Sequence, residues 1–294
     1  MRTIRYQQIA QVLRERTTCN TRAMSGRVTV TLSEGIADVR MSRPEKRNAL
    51  DGAMFLALAE AGERVKTERG VRCVVLSGDG SSFCAGLDFS SFQTMAGGDL
   101  SGADDQGSPA SMKDGRITHL GQQVCWVWQE VPVPVIAAVH GHALGGGLQI
   151  ALGADIRIVH PDTQMSVREV HWGLVPDMTG TLMLSTLVAA DVAKELVFTA
   201  RIFDGREAHA LGLATRLSNA PLNAAMAMAR DIADRSPDAV RGAKTLLNRL
   251  FNAGAAEQFA AERRIIASVI GQPNQVEAVM ANFEKRPSVF ADPT

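Results

Sequence analysis

What most constrains this chain is a pair of glycine-bearing turns, each set just after an apolar run. The first is Ser82-Phe83-Cys84-Ala85-Gly86-Leu87-Asp88, behind the run 71–76. The second is His140-Gly141-His142-Ala143-Leu144-Gly145-Gly146-Gly147-Leu148-Gln149, behind the run 135–139. Apolar runs of this length, the first broken only by Arg72 and both bounded by turn residues, read as buried strands. Glycine lets a backbone amide approach a ligand closely. Two such amides facing each other would form an oxyanion hole, where losing one donor costs about 2.7–4 kcal/mol of transition-state stabilisation. Taken singly, either segment reads as an ordinary tight turn of an α/β fold. Neither is a phosphate loop ending in Gly-Lys-Ser/Thr, a GxGxxG strand-to-helix step, or a GxSxG nucleophile elbow.

The flanking sequence fits that class. Residues 28–32 and 36–41 alternate around Glu34-Gly35 and read as a hairpin. Asp51 precedes a helical stretch, 53–65, as a good N-cap. Residues 117–130 read as a helix stopped by Pro132 and Pro134; a short helix over 148–152 and a strand over 156–159 follow. Residues 93–113, rich in Gly, Ser and Asp, read as a loop, and loops of that length are commonly functional. From Pro221 onward the chain reads as helices over 221–236, 237–253, 255–270 and 273–284. The resulting division is an N-terminal extension 1–23, a core 24–220 and a helical module 221–294.

Composition narrows the function. Lys and Arg number 31, matched by 31 Asp and Glu, and this balance counts against a nucleic-acid binder, which usually has a basic excess. Residues 1–23 nonetheless carry five Arg against one Glu, a local charge of +4. They read as a tail beyond an internal start at Met24, as a transit peptide, or as a binding arm. No apolar run approaches the ~20 residues of a bilayer span, so no membrane role is expected. The four cysteines are scattered with no CxxC spacing, indicating neither zinc nor a disulfide framework and favouring a reducing cytoplasm.

Together the two turns resemble the F-[CS]-A-G-x-D and [NH]-G-x-A-x-G-G-G segments of the crotonase superfamily, the enoyl-CoA hydratases and isomerases. Arg43-Pro44-Glu45-Lys46-Arg47-Asn48-Ala49-Leu50 is similar to the family's R-P-x-x-x-N-A-[LM] element, and Val135-Ile136-Ala137-Ala138-Val139 to its P-V-I-A-A-V strand. The resemblance spans about residues 27 to 290. It implies an α/β fold, a crotonase-like spiral of ββα units with a helical C-terminal trimerisation module. The expected state is a homo-trimer or dimer of trimers, and the expected substrate an acyl-CoA thioester held as its enolate. No metal or redox cofactor is implied. The resemblance places the oxyanion amides at Leu87 and Gly146.

The same resemblance singles out acid/base positions. Family hydratases carry one Glu two residues after the glycine triplet and another twenty residues later; here these are Gln149 and Glu169. A Gln hydrogen-bonds water but cannot take its proton, whereas a 1,3-proton shift needs one base. The reading is therefore isomerisation of an unsaturated acyl-CoA with Glu169 as base, with hydration as the alternative and a CoA- or RNA-binding protein of little turnover as a further one. The alternative reading of Glu169 is a surface charge paired with Arg168. Asp177 reads two ways, as the N-cap of a helix over 179–188 or as a site carboxyl near the distal acyl carbons, where dienoyl-CoA isomerases carry an Asp. For CoA the candidates are Arg43, Lys46 and Arg47 from the first loop, Ala85 and Asp88 beside the first glycine, and Lys285, with Arg286, from a neighbouring copy. His140, His142 and Cys84 are expected to be structural.

Overall fold

The computed structural model describes residues 20–24, 26–89, 108–251 and 254–289. Strand β1 (Asn20–Met24) begins inside the segment 1–23 that the sequence sets apart. It pairs antiparallel with β2 (Val28–Ser33), which pairs antiparallel with β3 (Ile36–Met41) across the expected Glu34-Gly35 turn. The sheet continues in parallel through β4 (Cys73–Gly78), β5 (Val135–Val139), β7 (Ile156–Val159) and β9 (Arg216–Leu217), in the order β1-β2-β3-β4-β5-β7-β9. A second, two-stranded parallel sheet pairs β6 (His142–Leu144) with β8 (Gln164–Ser166).

Strand side chains alternate between faces, and both faces are covered. Val74, Leu76, Val135, Ala137 and Val139 meet α1 (Gly52–Thr67), α2 (Leu120–Glu130) and α3 (Gly146–Leu152) in the main core. Cys73, Val75, Ile136, Ala138 and Ile158 face the other way, onto Ala225, Ala229 and Ala233 of α7 (Pro221–Ala233). Those alanines recur every four residues, one smooth helix stripe against the sheet. Asp51 caps α1 as expected, accepting the Met54 amide at 2.8 Å. The second helix starts later than the sequence suggests, because His119 caps it from a reciprocal pair with Gln122. The third starts earlier, at Gly146 instead of 148. Of the expected 93–113 loop, residues 93–107 lie outside the described residues.

Past β8 come the single turn Glu169–Trp172, α4 (Gly180–Leu187), α5 (Ala190–Thr199) and α6 (Gly205–Ala210). The C-terminal helices are α7, α8 (Pro237–Phe251), α9 (Ala255–Val269) and α10 (Pro273–Glu284). One buried ion pair fastens α8 to the core: Lys244 Nζ donates to Asp155 Oδ2 at 2.7 Å, Trp128 O at 2.9 Å and Val133 O at 3.0 Å. Asp155 also accepts the Val135 amide at 2.7 Å, so the same carboxylate fixes the start of β5. Removing one partner of such a pair strands a buried charge. Lys244→Ala is expected to destabilise the fold by about 3 kcal/mol, read as a lower midpoint in urea unfolding.

Candidate active site

The two glycine turns come together side by side. Cys84 and Ala143 form a parallel bridge, with Cys84 N donating to His142 O at 2.9 Å and Leu144 N to Cys84 O at 3.2 Å. Glycine is required where the backbones touch. At Gly86 (φ +90°) a Cβ would lie 2.6 Å from Leu144 O and 3.9 Å from Gly146 N; at Gly147 it would lie 2.3 Å from Cys84 O. On its other side the first turn bridges Leu50, which donates to Gly86 O at 2.8 Å and accepts from Asp88 N at 3.0 Å. Those two bonds flank Leu87, so the Leu87 N–H points away from Leu50. Gly146 is the first residue of α3, where an amide has no intrahelical acceptor. Among the described residues neither amide is spent on a protein acceptor. The sequence-predicted pair, Leu87 and Gly146, is thus brought together with both donors available.

Beyond Gly146 lies a buried polar group. Gln149, on α3, accepts two backbone amides with its carbonyl oxygen, from Met178 at 3.0 Å and Gly180 at 2.9 Å. Its Nε2 must therefore face the other way, and it donates to Glu169 Oε1 at 2.6 Å. Glu169 is 8% exposed, and its second oxygen, Oε2, is buried without a protein partner. Burial pushes this carboxyl up to about 7, against the opposing pull of nearby backbone amides and the Gln149 N–H. A Cβ on Gly145 would sit 3.3 Å from Glu169 Oε1, so the carboxyl lies beside the second glycine turn.

Asp177, half-buried, adjoins this group. Burial first, then the negative charges of Glu169 and Glu262, push it up to about 8. The N-cap reading of Asp177 is corrected: α4 begins at Gly180, and the cap position is Thr179, in a left-handed conformation with no side-chain cap bond. The surface-pair reading of Glu169 is likewise set aside by its burial, and Arg168 instead donates to Ala200 O at 2.9 Å.

The CoA candidates divide. Arg43, 12% exposed, is spent internally: it donates to Asp88 Oδ2 at 2.6 Å and Ala49 O at 3.1 Å and lies 3.4 Å from Asp51. Arg43 and Asp88, both offered by the sequence for CoA, neutralise each other and tie the first loop to the residue after Leu87. Lys46 and Arg47 are exposed, and the Arg47 carbonyl accepts the Ala85 amide at 2.9 Å. Lys285 is exposed at the end of α10, which packs on the Glu169–Trp172 turn of its own chain, Asn282 Nδ2 donating to His171 O at 3.2 Å. Arg286 pairs with Glu277 and Glu284. His140 meets Gly80 O at 3.0 Å and His142 meets Ser82 Oγ at 2.9 Å, both holding turns. Cys84 donates to Asn48 O at 3.1 Å, and burial pushes its thiol up to about 12, out of nucleophilic range. Among the described residues no cluster of His, Cys, Asp and Glu could hold a metal ion, and no helix is long and apolar enough to cross a membrane.

One feature escapes the sequence reading. Phe89, two residues past Leu87 and 63% exposed, stacks edge-on to Trp172 with ring centres 5.9 Å apart and lies 6.2 Å from Phe283 of α10. Three aromatics so far apart in sequence leave no local periodic signal.

The enoyl-CoA hydratase/isomerase family model matches residues 31–293. The chain belongs to this family. It is an acyl-CoA enzyme of the enoyl-CoA hydratase/isomerase superfamily, with the crotonase fold. It is 33% identical over 261 residues to the mitochondrial enoyl-CoA hydratase domain-containing protein 2 of Bos taurus, covering 86% of this chain and 83% of the relative. It is 31% identical to the probable enoyl-CoA hydratase echA6 of Mycobacterium leprae, covering 89% of this chain and 98% of that one. Among solved structures, an enoyl-CoA hydratase/isomerase from Pseudoalteromonas atlantica T6c superposes with a TM-score of 0.76 at 29% identity, covering 90% of this chain and 100% of that one.

The raised Glu169 pKa has a consequence for stability. Its value in the fold, about 7, lies above the ordinary 4.5, so the unfolded chain ionises first as pH rises. The group's contribution is whole below about 4.5 and has been lost once pH passes about 7. Glu169→Gln cannot ionise and keeps the acceptor for Gln149. At pH 8 it is expected to be more stable than the wild type by on the order of 3 kcal/mol, and level with it near pH 4, in matched thermal melts.

Proposed function

We propose that this protein moves the double bond of an unsaturated acyl-CoA through a proton shuttle run by Glu169. The observation that carries this reading is the orientation of Gln149, whose carbonyl oxygen is spent on Met178 and Gly180. Hydration is helped by a second group that accepts a proton from water, and Gln149 has no acceptor left to offer. A 1,3-shift needs a single base, Glu169. The carboxylate takes a proton from C2 of a 3-enoyl-CoA, and the electron pair delocalises into the thioester carbonyl. Its oxygen becomes anionic between the Leu87 and Gly146 amides. The proton then returns at C4, leaving the 2-enoyl-CoA and a regenerated carboxylate.

The unpartnered Oε2 of Glu169 supports this role, since a buried lone pair with no protein donor is free to receive the substrate proton. Asp177, raised to about 8, is protonated at neutral pH and offers a neutral acid near the distal carbons. Phe89, Trp172 and Phe283 supply an apolar wall beside Leu87. Lys46, Arg47 and Lys285 are the cations for the CoA phosphates, with Ala85 held to Arg47 by its amide. The proposed assembly is a trimer or dimer of trimers, consistent with the exposed Leu246 and Leu247 of α8 and Ile265 of α9.

Hydration of a 2-enoyl-CoA is the second reading, favoured by the hydratase names of the relatives. There the remaining Gln149 N–H would hold the water oxygen while Glu169 takes its proton. Separate incubations with 3-hexenoyl-CoA and 2-hexenoyl-CoA distinguish the two. Double-bond migration from the first, reduced about 10²–10⁴-fold by Glu169→Gln, is expected. Vigorous 3-hydroxyacyl-CoA formation that survives Gln149→Ala but not Glu169→Gln would overturn the isomerase reading. The pH profile gives a further check: kcat/KM should rise as pH passes about 7, where Glu169 ionises, and fall above about 8, where Asp177 loses its proton.

A further inference from the structure

Behind the turn that carries Asp177 lies a buried carboxyl that the reaction above does not use. Glu262, on α9, is 3% exposed. It accepts from Gln122 Nε2 of α2 at 3.0 Å, from the Thr179 amide at 3.2 Å and from Thr181 Oγ1 at 2.5 Å. Gln258, one turn earlier on α9, donates to Thr181 Oγ1 at 2.6 Å. Three donors converging on one carboxyl match an ionised Glu, which only accepts.

Successive amides of one turn are therefore gripped from two sides. Met178 and Gly180 point to Gln149, and Thr179 between them points to Glu262. Thr179 has φ +68°, a left-handed conformation that a β-branched residue rarely adopts and that persists only where its surroundings over-determine it. The two opposed anchors do so. Removing the rear anchor frees the turn to relax, and Gln149 then loses the pair of amides that aim its N–H at Glu169.

We infer that Glu262 is a positioning residue of the acyl-CoA site: from the C-terminal helices it pins the back of the 177–181 turn, fixing Gln149, and through it Glu169, at the front. This rests on the proton-shuttle reading. Glu262 also acts on Asp177 by charge. Asp177 is faced by Glu169 from the 169–172 turn and Glu262 from α9; the Cys125 thiol of α2 feels all three carboxyls. Arg263, next to Glu262 on α9, acts on it by charge and donates to Gln122 Oε1 at 3.0 Å and Ile117 O at 2.7 Å.

The test compares wild type, Glu262→Gln, Thr181→Val and, as a control on the same helix, Glu257→Gln, an exposed acid. Each full-length protein is assayed with 3-hexenoyl-CoA from pH 6 to 10 and for C2 deuterium exchange of hexanoyl-CoA in heavy water. Glu262→Gln is expected to lower kcat about 10-fold or more with KM within about twofold. Its alkaline limb should move down by roughly one pH unit, because Asp177 loses a neighbouring negative charge. Thr181→Val should lower kcat less, about 3-fold, and Glu257→Gln should match the wild type. Folded Glu262→Gln with wild-type kcat and alkaline limb overturns the inference. If Glu262→Gln does not fold, Thr181→Val decides: a kcat loss at constant KM supports the inference, and wild-type kcat overturns it. A wild type that gives neither migration nor exchange overturns the proton-shuttle reading and this inference with it. A working wild type with an unaffected Glu262→Gln overturns this inference alone.

Discussion

Backbone meets backbone at the centre of this protein. Between Gly86 and Leu144 there is no room for a side chain, and Gly147 is pressed equally close to Cys84. That contact sets Leu87 and Gly146 beside each other with their amides outward, one turned away from a bridge to Leu50 and the other orphaned at a helix start. Both segments follow strands of the main sheet, β4 and β5, which are hydrogen-bonded neighbours. The parallel part of the sheet, with helices on both faces, thus delivers two turns to the C-terminal end of neighbouring strands. The Arg43–Asp88 pair and the Asn48 side chain, which donates to Asp79 O and Ser82 O, hold the first turn against Leu50 and β4.

The acid/base chemistry is arranged around what Gln149 cannot do. Its oxygen is saturated by two amides and its nitrogen faces Glu169, so the buried Glu169 carboxyl is left with one open oxygen. A Glu at 149 would accept the same amides but would set a second negative charge against Glu169, pushing one of the two protonated. With Gln there, the repulsion is replaced by a donated hydrogen bond that partly offsets the burial of Glu169. The remaining electrostatic pressure falls on Asp177, which sits between Glu169 and Glu262 and holds its proton to a higher pH.

How much of this was legible depended on how local each cause is. The glycines were readable because their role is steric and shows in a few adjacent letters. Asp51 as a cap and Val135–Val139 as a strand were readable for the same reason. The start of α2 was not, because His119 is an uncommon cap whose partner, Gln122, offers no apolar periodicity. Asp177 looked like a cap because the sequence could not show that Thr179 turns left-handed before α4. The Arg43–Asp88 pair was not legible because the two residues lie 45 apart in the chain. Glu262 did carry a signal: with Ala255 and Phe259 it falls at i, i+4 and i+7, on the buried stripe of α9, where an acid is out of place.

The most direct measurement is a crystal structure of the protein with a bound saturated acyl-CoA, read at the thioester oxygen. That oxygen should lie about 2.7–3.1 Å from both the Leu87 and the Gly146 nitrogens, with C2 turned toward Glu169 Oε2. A thioester oxygen seated elsewhere, or held by only one of the two amides while water fills the other, would contradict the oxyanion hole on which the enolate chemistry depends.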